Sequence, residues 1–183
     1  MKNIKIFPLF LIFFYLFSSC VKDVDFDQIE DFSTKPIFKT TLVYFTLNQV
    51  NFFNSINSAE ITTPVNSTSS FLSLKSSFVR NNLSSAEFEF EIENQFNRGF
   101  TVNVEFLDDN NNITHFFDTF VISANDLNFK RKEFIYVSGN QNFLSSTKVK
   151  VSVVLSPNNS NPINPNIEQK LVFKSAGTFF IKT

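Results

Sequence analysis

The chain has 183 residues, a formal net charge of −1 and one cysteine. That length holds one domain of ordinary size behind a leader, large enough to build a core without covalent staples. The charge balance excludes a nucleic-acid surface, which needs clustered Lys and Arg, and a single cysteine excludes a disulfide within the chain. Phe occurs 27 times against 3 Tyr and no Trp. In an Asn-, Ser- and Lys-rich chain this points to Phe as the default core filler of a low-GC coding bias. It argues against an aromatic sugar platform, which leans on Trp and Tyr.

The chain opens MKNIKIFPLFLIFFYLFSSC. Lys2 and Lys5 form a positive start, Ile6 to Phe17 an apolar run, and Ser18 and Ser19 a small-residue step before Cys20. This is the grammar of a signal peptide. The run of about a dozen residues is too short to span a bilayer. An ordinary secretory signal has no use for cysteine at the cleavage point. The stretch LFSSC resembles the lipobox of bacterial lipoproteins, with Phe17 where leucine is usual. The resemblance covers only the N-terminal segment. It implies a signal peptide over 1–19, a thioether-linked diacylglycerol on the sulfur of Cys20, and attachment to the membrane through acyl chains.

Residues 20–37 are then expected as the lipidated cysteine and an acidic tether, with Asp23, Asp25, Asp27, Glu30 and Asp31 close behind the anchor. Extended, such a tether reaches roughly 50 Å at about 3.3 Å per residue, and its charge favours extension. Lys22, Asp23, Asp25 and Asp27 also resemble the Lys-plus-acidic export signal that carries lipoproteins of some Gram-negative bacteria to the outer face of the outer membrane. The two readings are compatible.

From 38 to 183 the pattern is one strand after another. FKTTLVYFTL (38–47) is rich in Thr, Val and aromatics. AEFEFEIEN (86–94) alternates strictly, with Phe88, Phe90 and Ile92 on one face and Glu87, Glu89, Glu91 and Glu93 on the other. Only period two separates those sets. GFTVNVEFLDD (99–109) alternates again, and Asn97 and Gly99 between the two runs suit a turn, which predicts a hairpin over 86–106. DDNNN (108–112) reads as a second turn and ITHFFDTFVI (113–122) as a largely buried strand. SANDLNF (123–129) is the best place for a short turn of helix. KRKEFIYV (130–137) and KVKVSVVL (148–155) are further strands, the second with Val149, Val151 and Val153 inward. SPNNSNPINPN (156–166) is an irregular loop, and KLVFK with GTFFIKT closes the chain as one bent strand or two, Gly177 marking a bulge. The reading is an all-β, antiparallel, immunoglobulin-like β-sandwich of about seven to nine strands.

No residue set carries a catalytic motif. The Glu row at 87–93 reads as the solvated face of a sheet, with Lys148 and Lys150 as pairing partners from another strand. Asp108, Asn110 and Asn112 have the alternate spacing of a calcium loop, but lack its glycine and its bidentate glutamate. His115 is the sole histidine, too few for a histidine zinc site. A Ser–His–acid set with Asp118 lacks a nucleophile elbow. The expectation is a non-catalytic, lipid-anchored outer-membrane protein on the cell surface or the periplasmic face, without cofactor or metal. It would serve a structural role or bind another envelope protein. The alternative is an accessory protein that binds a sugar or peptide with loops at one end of the sandwich.

Overall fold

In a computed structural model, residues 36–54, 59–157 and 162–182 are described. The expected signal peptide over 1–19, Cys20, Lys22, Asp23, Asp25 and Asp27 lie outside the described residues, as do 158–161 of the polar loop.

Nine strands form among the described residues: β1 (Ile37–Asn48), β2 (Val65–Ser70), β3 (Leu83–Asn94), β4 (Phe100–Leu107), β5 (Ile113–Phe116), β6 (Phe120–Ile122), β7 (Phe129–Tyr136), β8 (Lys148–Leu155) and β9 (Lys170–Ile181). Every pairing is antiparallel. One sheet has the order β1-β9-β3-β7. The other runs β2-β8-β4-β5, with β6 also paired to β4. The all-β sandwich is therefore present with nine strands.

The strand order is a jelly roll. β1 pairs with β9, β2 with β8, β3 with β7, and β4 with β5 and β6. The chain behaves as one long folded ribbon whose successive rungs alternate between the two sheets, the arrangement of jelly-roll domains. The immunoglobulin-like expectation needs correction here. An immunoglobulin sandwich keeps its first two strands in one sheet, whereas β1 and β2 lie in different sheets.

The same topology overturns the predicted hairpin over 86–106. β3 pairs with β7 and β9, while β4 pairs with β5, β6 and β8. Residues 95–99 thus cross from one sheet to the other. Strand alternation is blind to this difference, because an arch and a hairpin both bury every second residue. The inward faces are as expected: Phe88, Phe90 and Ile92 on β3, Phe100, Val102, Val104 and Phe106 on β4, and Val149, Val151 and Val153 on β8 are all buried. They meet between the sheets. Phe88 packs on Phe106 with ring centres 5.1 Å apart, and Phe106 meets Phe143 edge-on at 5.1 Å and 88°. Edge-to-face rings are the favoured geometry for an all-Phe core.

Gly99 ends the arch. A Cβ there would stand 2.8 Å from the backbone oxygen of Ile122, whereas at Gly139 it would meet nothing within 4 Å. Gly99→Ala is expected to destabilise by about 1–3 kcal/mol, as overpacking does, and Gly139→Ala to change little. Urea midpoints of the two variants check this.

Three further expectations change. Residues 113–122 form two strands separated by Phe117, Asp118 and Thr119, and β5 is not buried: Ile113 and Phe116 are exposed. SANDLNF is a turn without helix, with Asn125 at φ 56° and its N–H bonded to Phe96 O. β9 is one continuous strand, and the bulge lies on β1, where the register shifts between Thr41 and Tyr44. There the N–H of Val43 donates to Ser175 Oγ at 3.1 Å. Gly177 instead makes room for aromatic rings, since a Cβ would lie 3.0 Å from the Phe179 ring and 3.2 Å from that of Phe88.

Candidate functional site

β2, β8 and β4 end together, with Ser70 opposite Lys148 and Lys148 opposite Leu107. At this end the β2–β3 connection and the segment before β8 are laced to the sheet. Phe71 N–H donates to Thr147 O at 2.7 Å, and Thr147 N–H donates to Leu107 O at 2.8 Å. Between them lies a cleft of about 480 Å³. Phe71 and Leu74, both buried, line it together with Leu72, Leu144, Lys75, Arg80, Asp109 and Lys148. Lys75 follows a 3-10 turn closed by its own N–H to Leu72 O at 3.0 Å. Arg80 sits on a short helix, Ser77–Asn82, with its N–H on Ser76 O at 3.1 Å. Lys148 Nζ donates to Asn111 Oδ1 at 2.8 Å and Asp109 O at 3.1 Å. The buried Thr147 hydroxyl in the same wall has no hydrogen-bond partner.

The residues of the calcium reading form the turn beside the cleft. Asp108 Oδ1 accepts the N–H groups of Asn110 and Asn112, each at 2.8 Å, and Oδ2 accepts Asn112 Nδ2 at 3.0 Å. Asn111 takes φ 65°. The residues form a side-chain-closed hairpin turn. The Asn112 side chain, then the backbone N–H groups, hold the Asp108 carboxyl below its ordinary range. Among the described residues no three His, Cys, Asp or Glu group to hold a metal ion.

His115 packs among aromatic rings. It is half-buried, edge-on to Phe117 at 5.2 Å and near Phe106 and Phe143. Burial pushes its pKa down, against the opposing pull of Glu133 and Asn140. Asp118 lies exposed on the break between β5 and β6.

The glutamate row stands on the outer face of the first sheet, but Lys148 and Lys150 do not meet it. They belong to the other sheet, where Lys150 pairs with Glu105 at 2.9 Å. The row finds its partners on the adjacent strands β7 and β9 and on β1, one strand beyond β9. Lys132 bridges Glu87 at 2.6 Å and Glu89 at 2.7 Å, Lys130 reaches Glu91 at 3.3 Å, Lys174 reaches Glu93 at 2.7 Å, and Lys39 also binds Glu89. Hydrogen bonds from Lys132 and then Lys39 lower the Glu89 carboxyl from 4.5 to about 2. A folded-state pKa below the unfolded one adds stability above the unfolded pKa, and that stability is lost as pH falls through the folded value. Unfolding free energies measured from pH 6 downward are therefore expected to drop between about pH 4.5 and 2. Glu89→Gln should flatten part of that slope.

The opposite end of the sandwich is closed. Asn94 Nδ2 donates to Arg98 O at 2.8 Å and Ser123 O at 2.7 Å, and Asn94 Oδ1 accepts from Phe96 N–H at 2.9 Å. Buried Arg98 pairs with Glu60 at 3.2 Å and donates to Ser156 O at 2.6 Å. Sequence reading missed Lys75, Arg80 and the Arg98–Glu60 pair. Among the described residues of 49–82, β2 is the one named strand, short and uncharged, and the sequence there shows no sustained apolar period.

No protein-family model matches the chain, and no curated protein matches it. Solved structures match at low identity. A Parabacteroides distasonis protein named as secreted is 12% identical at a TM-score of 0.49, with 63% of this chain and 38% of that one covered. The VP2 subviral particle of infectious bursal disease virus is 8% identical at 0.43, covering 80% of this chain and 32% of that one. The tobacco streak virus coat protein is 8% identical at 0.34, covering 81% and 87%. The chain thus spans about a third of the length of the first two neighbours. Among the described residues, no helix is long and apolar enough to cross a membrane. Likenesses this distant concern the fold and carry nothing about function.

Proposed function

We propose that the chain is a lipid-anchored protein of the bacterial outer membrane. Its jelly roll is held at the cell surface or the periplasmic face by acyl chains on Cys20 and acts as a binding component, not a catalyst. The observation that carries this is the run Ile6–Phe17 followed by Ser18, Ser19 and Cys20, the one cysteine of the chain. Each buried acyl CH₂ contributes about 0.8 kcal/mol, and one chain alone holds only marginally. Lipobox chemistry supplies two or three chains, enough for lasting attachment. Cys20→Ala is expected to abolish the acyl mass at the mature N-terminus and to release the protein from the membrane fraction. A mature N-terminus elsewhere, with Cys20 unmodified, refutes the anchor.

Lys22, Asp23, Asp25 and Asp27 are proposed to direct export to the outer surface. Changing all four to Ala should remove protease access in intact cells while lipidation persists. A wild-type protein cut only after lysis assigns the periplasmic face and leaves these residues as plain linker.

The first partner reading is another envelope protein. The cleft at the β2–β8–β4 end favours the second reading, a small ligand held by loops at one end of the sandwich. It is concave, part apolar, and lined by convergent polar groups, which is how small-molecule sites are built.

A further inference from the structure

We infer that this end cleft binds a small organic anion, with a carboxylate or phosphate head on Lys75 and Arg80 and an apolar body on Leu72 and Leu144. The inference rests on the ligand-binding reading and is independent of the acyl anchor.

The charge pattern points there. Most cations of the described residues are in ion pairs: Lys39, Arg98, Lys130, Arg131, Lys132, Lys150 and Lys174. Lys75, Arg80, Lys148, Lys170 and Lys182 are the ones outside them. Three of these five line one cleft. Lys148 donates to two neutral oxygens, Asp109 O and Asn111 Oδ1, and forms no ion pair. Asp109 is the one acid in the lining. The cleft is therefore net positive on a protein of net charge −1. A concave, low-dielectric wall strengthens the field of such charges.

The positions are prepared as well as charged. Lys75 and Arg80 leave hydrogen-bonded turns, not loose chain. Arg80 presents a planar fork that matches two oxygens of a carboxylate or phosphate, and Lys75 offers a compact point charge. Leu72 is 66% exposed beside them. An isolated exposed leucine is ordinary, but at the mouth of an apolar-floored cleft it provides contact for the body of a ligand.

The test uses the mature protein in non-ionic micelles with three probes of nearly one shape: phenylacetate, phenyl phosphate and neutral phenylacetamide. Amide chemical shifts are followed during titration. Both anions, or one of them, should move the resonances of Ser70–Arg80 and Leu144–Lys148, and phenylacetamide should not. The order of the two anions identifies the head group. Lys75→Gln with Arg80→Gln should weaken binding about tenfold or more, the loss that accompanies one charged hydrogen bond. Both side chains are exposed, so the unfolding midpoint of that variant should stay at the wild-type value and report an intact fold. The inference is overturned if neither anion shifts these resonances, if phenylacetamide binds as well as the anions, or if the double variant binds with wild-type affinity. A failure of the anchor appears separately, as a missing acyl mass on Cys20 with cleft binding retained.

Discussion

Phe88→Ala is expected to lower the unfolding free energy by about 3–5 kcal/mol, the usual cost of truncating a buried Phe. Phe88 is fully buried, and its ring meets four others: Phe106 at 5.1 Å, Phe117 at 5.6 Å, Phe143 at 5.9 Å and Phe179 at 5.9 Å. Those partners come from β4 and β9 on the two sheets, from the break between β5 and β6, and from the segment before β8, so the cavity has several walls. The close seat of Gly177 against the same ring leaves the backbone little room to collapse inward. Glu89→Ala, one residue along β3 on the solvated face, should cost under about 1 kcal/mol, as exposed ion pairs do. Urea unfolding of the two variants measures the contrast. Equal losses would contradict the register in which β3 faces the core with its Phe side.

Much of this architecture is visible in the sequence. Where a strand is half-buried, alternation exposes both its existence and its inward face, as at Phe88–Phe90–Ile92 and Val149–Val151–Val153. Alternation says nothing about which strand lies alongside. The arch at 95–99 therefore reads as a hairpin, and the glutamate row reads as pairing with Lys148 and Lys150, whereas its partners are Lys39, Lys130, Lys132 and Lys174. Strand order arises from tertiary packing that a local pattern does not contain. The cleft is hidden for a related reason. Lys75 and Arg80 lie in a stretch without sustained period, and the residues opposite them, Leu144 to Lys148, are some seventy positions away in sequence. Asp108, Asn110 and Asn112 show the converse case. Their spacing is legible, but turn closure and metal ligation use the same oxygens at the same spacing, and here the Asp108 oxygens accept the hydrogen bonds that close the turn.

Arg98→Met should cost about 3 kcal/mol, toward the low end for breaking a buried ion pair. The size follows from what the guanidinium holds. The Arg98 side chain is 4% exposed and that of Glu60 is 24%, so Glu60 keeps some water when its partner is removed. Ser156 O loses a 2.6 Å bond. Glu60 also accepts Ile163 N–H at 2.5 Å, so the pair ties together the arch, the segment before β2 and the loop that follows β8. Glu60→Gln retains an acceptor for Ile163 and leaves Arg98 with a neutral partner. Its cost should be smaller. In the double variant the two losses should fall short of their sum by about 1 kcal/mol or more, the coupling of residues in one polar network. Strict additivity would mean that the contact contributes nothing to stability. The network lies at the end of the sandwich away from Lys75 and Arg80, so Arg98→Met should leave phenylacetate titration of the cleft unchanged at temperatures where the variant is folded. Loss of titration while the variant remains folded would show that the two ends of the jelly roll are coupled.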